Sequence, residues 1–176
     1  MGKRIITLGK WNDKPIEWFV LKKEKFGTLV ISRYALFSLD CRNNGNTTMD
    51  WEYSVLREYL NKEFYSKAFS DSDKLKIVNV KLADVNNTKD NVFLLSKEEA
   101  ETLMTQEERK LGDGNCNRWT YGYNCNNCYQ YSDRHGTCFY LRTKLDNNCY
   151  YIINIDGGIN YGYNVRSIRP SVWIKE

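Results

Sequence analysis

Histidine is nearly absent from this chain: His135 is the single one among 176 residues. That excludes a histidine-rich metal site and an HExxH arrangement. A phosphate-cradling P-loop and a dinucleotide fingerprint are missing as well. No apolar run reaches the roughly 20 residues that a membrane-spanning helix needs. The opening residues Met1-Gly2-Lys3-Arg4-Ile5-Ile6 lead into no apolar stretch with a small-residue cleavage site, so no secretory leader is expected. Ile6 stands where an N-myristoylation motif wants Ser or Thr. Neither sign of charge dominates: 26 Lys and Arg face 22 Asp and Glu, a net charge of +4. The lysines lie mostly before Lys110, mixed with acids, which reads as a solvated face and not as a nucleic-acid footprint. Neither nucleic acid nor membrane insertion is therefore expected among the partners.

The length fits one domain, large enough to bury a core without metals or disulfides. The six cysteines are Cys41, Cys116, Cys125, Cys128, Cys138 and Cys149. Only Cys125 and Cys128 form a CxxC pair, whereas a structural zinc site usually shows two such knuckles. Reduced thiols are expected, with no metal and no cofactor. His135 sits in an Asp133-Arg134-His135-Gly136 turn and reads as a surface residue. A dyad with Cys138 would need an orienting third group, and nothing marks a cleft around Asp146 and Asp156. No catalytic residue is assigned, and the expectation is that the chain is not an enzyme.

Along the chain, residues 5–8, 16–21 and 28–31 are β-branched or aromatic runs, expected to form hairpin arms. Asp13-Lys14-Pro15 and Phe26-Gly27 read as the turns between them. Val55, Leu56, Tyr59, Leu60 and Phe64 fall at helical spacing behind Ser54, a good N-cap. Helices are expected near 54–64, 71–76 and 97–104, the last opened by the capping box Ser96-Lys97-Glu98-Glu99. Val78 and Val80 resume an extended pattern, and Val92-Phe93-Leu94-Leu95 reads as a short buried strand.

The composition shifts after Leu111. Residues 112–167 hold ten Asn, nine Tyr and five Cys in 56 positions, no Glu, and only Lys144 among the lysines. Apolar pairs persist through the segment, so it reads as short strands with polar, aromatic loops. Tyrosine offers large contact area at low entropic cost, and Asn, Ser and Gly offer adaptable hydrogen bonding. A displayed ligand-binding surface follows as the expectation. The candidate residues are Asp146, Asn147, Asn148, Cys149, Tyr150, Asn154, Asp156, Asn160, Tyr161, Tyr163, Asn164 and Arg166, with Tyr129 and Tyr131 beside them. In the strand 150–155, alternation puts Tyr151, Ile153 and Ile155 on one face and Tyr150, Ile152 and Asn154 on the other.

A set of motifs gives the chain a family resemblance. They are Pro15-Ile16-Glu17-Trp18-Phe19-Val20-Leu21, Leu29-Val30-Ile31-Ser32, and Trp51 with Ser54, Leu56-Arg57, Leu60-Asn61, Phe64 and Ala68-Phe69. Further on stand Phe93-Leu94-Leu95-Ser96 with Glu99-Ala100, Phe139-Tyr140-Leu141-Arg142, Asp156-Gly157-Gly158-Ile159 and Ile168-Arg169-Pro170-Ser171-Val172-Trp173-Ile174. This pattern resembles the bacterial domain DUF6273. The resemblance implies an α+β domain with a C-type-lectin-like fold, related to that of formylglycine-generating enzymes, spanning 1–176. Residues 1–111 and 168–176 would be scaffold, 112–167 a variable binding region, and Arg142 and Arg169 structural.

Some members of the family are similar to the variable proteins of diversity-generating retroelements of gut bacteria and phages. The resemblance therefore implies a non-enzymatic receptor for an unknown protein or cell-surface ligand. Randomised adenines in such genes give an alphabet without Lys, Glu, Gln, Met or Trp, and residues 145–167 contain none of these. The alternatives are a cysteine-dependent enzyme of the formylglycine-generating type and a zinc-stabilised binding module.

Overall fold

The computed structural model describes residues 3–40, 50–85, 88–110, 138–145, 149–154, 156–162 and 165–175. The architecture is α+β, with two five-stranded, mostly antiparallel sheets and a few short helices.

The first sheet starts as a meander of β1 (Ile5–Trp11), β2 (Lys14–Glu24) and β3 (Gly27–Ser32). The β1–β2 turn is Asn12-Asp13, at φ 49° and 61°, and not Asp13-Lys14-Pro15. A two-residue hairpin turn with both central residues at positive φ suits Asn and Asp, whereas proline is locked near −65°. Pro15 instead lies within β2, opposite Lys10. The second turn is likewise displaced by one residue, to Lys25-Phe26. Gly27 already belongs to β3, where a Cβ would stand 2.7 Å from the Ile174 carbonyl oxygen. All six residues of β3 are buried, because its other neighbour is the last strand of the chain.

The helical region opens as the spacing predicts. Ser54 accepts from the Arg57 amide and caps α1 (Val55–Tyr59). The helix then widens into a π-helical turn over Leu60–Phe64 and continues as α2 (Tyr65–Ala68), beyond the expected end. Leu56, Leu60 and Phe64 are fully buried. Ser70 caps α3 (Asp71–Lys74) with a complete capping box. Two short strands, β5 (Ile77–Val78) and β6 (Val80–Lys81), follow, and β6 pairs with β7 (Lys89–Asp90). Residues 92–95 are buried as expected but make no strand: their one bridge joins Phe93 to Ser171.

Ser96 caps α4 (Lys97–Leu103), again with a capping box. A further helix, α5 (Gln106–Arg109), was not anticipated, although Thr105-Gln106-Glu107-Glu108 is itself a capping-box sequence. The second sheet is built from β4 (Phe37–Asp40), β8 (Phe139–Lys144), β9 (Tyr150–Ile153), β10 (Ile159–Gly162) and β11 (Val165–Ile168), in the order β10-β9-β8-β11-β4. The chain closes with β12 (Ser171–Ile174), which inserts between β3 and β5 of the first sheet.

Candidate binding surface

The motif residues are consumed by internal fasteners. Asp90 has a fully buried side chain. Its carboxylate accepts from Trp51 Nε1 at 2.9 Å, Arg57 Nε at 2.6 Å and Asn61 Nδ2 at 3.3 Å. Asn61 sits in the π-helical turn and acts as a backbone mimic. Its Oδ1 accepts from the amides of Asn91 and Val92, and its Nδ2 donates to the Val92 carbonyl at 2.8 Å. The Trp51, Arg57 and Asn61 positions thus bolt α1 to residues 90–92.

Arg142 is a second fastener, 3% exposed. It grips Asp84 with two guanidinium nitrogens, Glu99 at 2.5 Å and the Leu94 carbonyl at 2.7 Å. Its hydrogen bonds to Glu99 and Asp84 outweigh the burial that opposes its charge and leave its pKa above the usual value. Glu99 serves twice, since it also closes the α4 capping box on the Ser96 amide.

Arg169 is the third. It donates to the carbonyls of Ser32, Arg33 and Glu108 and lies over the rings of Phe19 and Phe139, at 5.8 and 5.3 Å. Phe19 belongs to the first sheet and Phe139 to the second, so the guanidinium ties the sheets together. Burial pulls its pKa down to about 9, against the opposing field of Glu108, and it remains protonated at neutral pH. Arg142 and Arg169 are therefore structural, as the resemblance implied.

The fourth fastener holds the β9–β10 turn. Gly157 has φ +80°, and a Cβ there would stand 2.0 Å from the Gln106 carbonyl oxygen. Arg109 Nε donates to the Gly157 carbonyl at 2.8 Å, and Gln106 Nε2 to the Asp156 carbonyl at 3.1 Å. Helix α5, unforeseen from sequence, is thus the support of this turn. The Asp156 carboxylate accepts from the Gly158 amide at 2.9 Å and tightens it further.

Five of the predicted surface residues stand on or beside this anchored hairpin. Asn154 is half-buried, with its amide oxygen 3.9 Å from Cys138 Sγ. Asp156 and Asn160 are exposed, and Tyr161 is 59% exposed. Arg166 is half-buried, and its guanidinium comes within 3.4 Å of the space a Cβ would take at Gly162. Glycine at 162 makes room for it.

Two predicted residues are not on the surface. Tyr150 is fully buried and packs edge-on against Tyr140 at 5.8 Å. Cys149 is 5% exposed, and its carbonyl accepts from the Leu145 amide where the chain passes from β8 to β9. Both faces of β9 are covered: Tyr150 and Ile152 on one, Ile153 on the other, with only Tyr151 half open. Its alternation therefore separates two largely packed faces, not a core face from an open one. Tyr129, Tyr131, Asp146, Asn147, Asn148, Tyr163 and Asn164 lie outside the described residues, as do Ile155, His135, Cys116, Cys125 and Cys128.

Sequence reasoning missed Tyr151 and Lys97. Tyr151 lies directly across from Tyr161 in the β9–β10 register, so both rings belong to one face. The Lys97 ammonium stands 5.6 Å over the Tyr151 ring. Its hydrogen bond to Glu101 holds its pKa above the usual lysine value. Only the strand register, which composition does not carry, shows this pairing.

Exposed amides, a carboxylate, two tyrosines and a lysine can make hydrogen bonds and broad contacts. Among the described residues no group of three His, Cys, Asp or Glu side chains is placed to hold a metal ion. The family model of DUF6273, a domain of unknown function, matches residues 26–176. The chain belongs to the DUF6273 family. The match leaves out all of β1 and β2, including Pro15–Leu21, although β2 pairs with β3, which lies inside the matched span. No curated protein and no solved structure matches the chain. Among the described residues, no helix of this DUF6273 domain is long and apolar enough to cross a membrane.

Proposed function

We propose that this DUF6273 domain is a non-enzymatic ligand-binding protein with a C-type-lectin-like scaffold, whose binding surface centres on the β9–β10 hairpin. One observation carries the reading. Most motif side chains are spent on internal fasteners, while Asp156 in the β9–β10 turn and Asn160 and Tyr161 on β10 stay exposed, and Arg109 and Gln106 hold that turn in place. A rigid support under adaptable polar and aromatic side chains limits the entropy lost on binding. Tyr151 and Lys97 complete the face beside Tyr161. The partner is a protein or a cell-surface molecule.

The absence of Lys, Glu, Gln, Met and Trp from residues 145–167 supports diversification by a retroelement of a gut bacterium or phage. Sequencing the gene and its neighbourhood across many isolates tests this. The expected result is a nearby reverse transcriptase and a repeat differing from this gene only at adenines, within the codons of this segment. Variation spread evenly over the gene, or confined to silent positions, refutes it.

A further inference from the structure

A second surface lies at one end of the first sheet. There the β2–β3 hairpin, the end of β12 and the α3–β5 junction meet: Thr28 pairs with Ile174, Ile174 with Ile77, and the Lys175 amide donates to the Lys76 carbonyl. Two large apolar side chains stand out from it, Phe26 at 54% and Leu75 at 77% exposure. The Phe26 ring packs against the half-buried Trp173, with centroids 4.6 Å apart and planes tilted by 44°. Around them Lys22, Lys23, Lys25, Lys76 and Lys175 are all exposed.

The nearby described acids are largely occupied. Glu24 pairs with Lys22 at 2.7 Å, Asp71 lies 3.6 Å from Lys74, and Asp73 closes the Ser70 capping box. The two apolar residues sit at a hairpin tip and a helix-to-strand junction, so the patch projects from element ends.

We infer that this end docks peripherally on an anionic lipid surface, with Phe26 and Leu75 entering the headgroup layer and the lysines facing acidic headgroups. Projecting apolar side chains inside a ring of lysines match an interface that is negative at its surface and apolar just beneath. A polyanion has no use for Phe26 and Leu75, and a protein partner would not require a vesicle.

The test is co-sedimentation of the full chain with vesicles of phosphatidylcholine, alone or with about a third phosphatidylserine. Binding is expected only to the anionic vesicles, and lost when salt rises from about 0.1 M to about 0.5 M. Each lysine near such a surface contributes roughly fivefold in affinity, so K25E/K76E should weaken binding at least tenfold. F26S/L75S, which leaves the charge untouched, should also weaken it about tenfold or more. Tryptophan emission should shift to the blue on binding, and W173F should remove most of that shift. Equal binding to neutral vesicles, no binding at all, or anionic binding that F26S/L75S leaves unchanged overturns the proposal. The last outcome, together with equally tight binding to heparin, would mean a general polyanion effect.

Discussion

Replacing Asp90 by alanine should remove the fastener between α1 and residues 90–92. Its carboxylate is fully buried and receives Trp51 Nε1–H and Arg57 Nε–H. Two losses follow. The charge-assisted bond to Arg57 contributes about 1.5–3 kcal/mol. The Trp51 indole N–H, on a residue 5% exposed, is left without an acceptor, at about 1–3 kcal/mol. Arg57 is 22% exposed and already touches the Glu52 and Lys89 carbonyls, so it recovers part of its loss through them and water. The net expectation is a destabilisation of about 3–4 kcal/mol, within the range for breaking a buried pair.

Against a typical total of about 5–15 kcal/mol, that leaves a measurable folded state. D90N offers one oxygen where two acceptors are needed, and should cost about half as much. Urea unfolding followed by tryptophan fluorescence, with the slope checked for constancy, gives both values. A double-mutant cycle with R57M should return a coupling of about 1 kcal/mol or more. A D90A loss below about 1 kcal/mol would refute the claim that this carboxylate holds the helix to the strand region.

Other expectations concern the fasteners and the surface. G157A should cost about 3 kcal/mol or more in urea unfolding, since it combines positive φ with a clash against the Gln106 carbonyl. Y150A should cost about 3–5 kcal/mol and Y161A less than about 0.5, because one ring is buried and the other open, although both lie in one Tyr-rich segment. R142K should destabilise by about 2 kcal/mol, as a single ammonium replaces the fork on Asp84, Glu99 and Leu94. For Glu108, burial opposes its charge, but the Thr105 amide and Lys3 prevail and hold its pKa below the ordinary 4.5. Its contribution is therefore complete above that value and lost as pH falls through the lower, folded-state value, so E108Q should flatten the acid limb of stability measured by thermal melting.

The locally encoded features were the legible ones. Ser54, Ser70 and Ser96 cap their helices because capping is a contact within one turn, visible in four residues. Leu56, Leu60 and Phe64 in the helical region and Leu8, Ile16 and Trp18 in the first hairpin strands reach the core as their spacing predicts, whereas Val55 and Ile5, at the starts of their elements, stay exposed. What failed depended on distant parts of the chain. Residues 92–95 have strand-like composition, yet the neighbouring edge is engaged only through Ser171, so one bridge forms. Tyr150 and Cys149 share the composition of their exposed neighbours; the covered face of β9 buries Tyr150, and Cys149 is buried just before that strand begins. Helix α5 was missed for another reason: its capping box was present, but four residues give too short a periodicity to register.

Four motif segments of this DUF6273 domain end in the same kind of contact. Trp51, Arg57 and Asn61 converge on Asp90, Glu99 joins the Ser96 cap to Arg142, and Arg169 meets three carbonyls and two rings. Asp156-Gly157 is gripped by Gln106 and Arg109. Apart from the exposed Gln106 and Asp156, these groups are buried or half-buried, so these motif side chains build the fold. A buried arginine that donates to fixed carbonyls tolerates little change, since its planar fork has no substitute. Exposed Asn160 and Tyr161 make few such demands, and substitutions there leave the fasteners untouched. Recognition of the family thus rests largely on side chains that hold the fold together. A change at Arg109, which lies 48 residues away in sequence, would loosen the β9–β10 hairpin whose Gly157 carbonyl it holds.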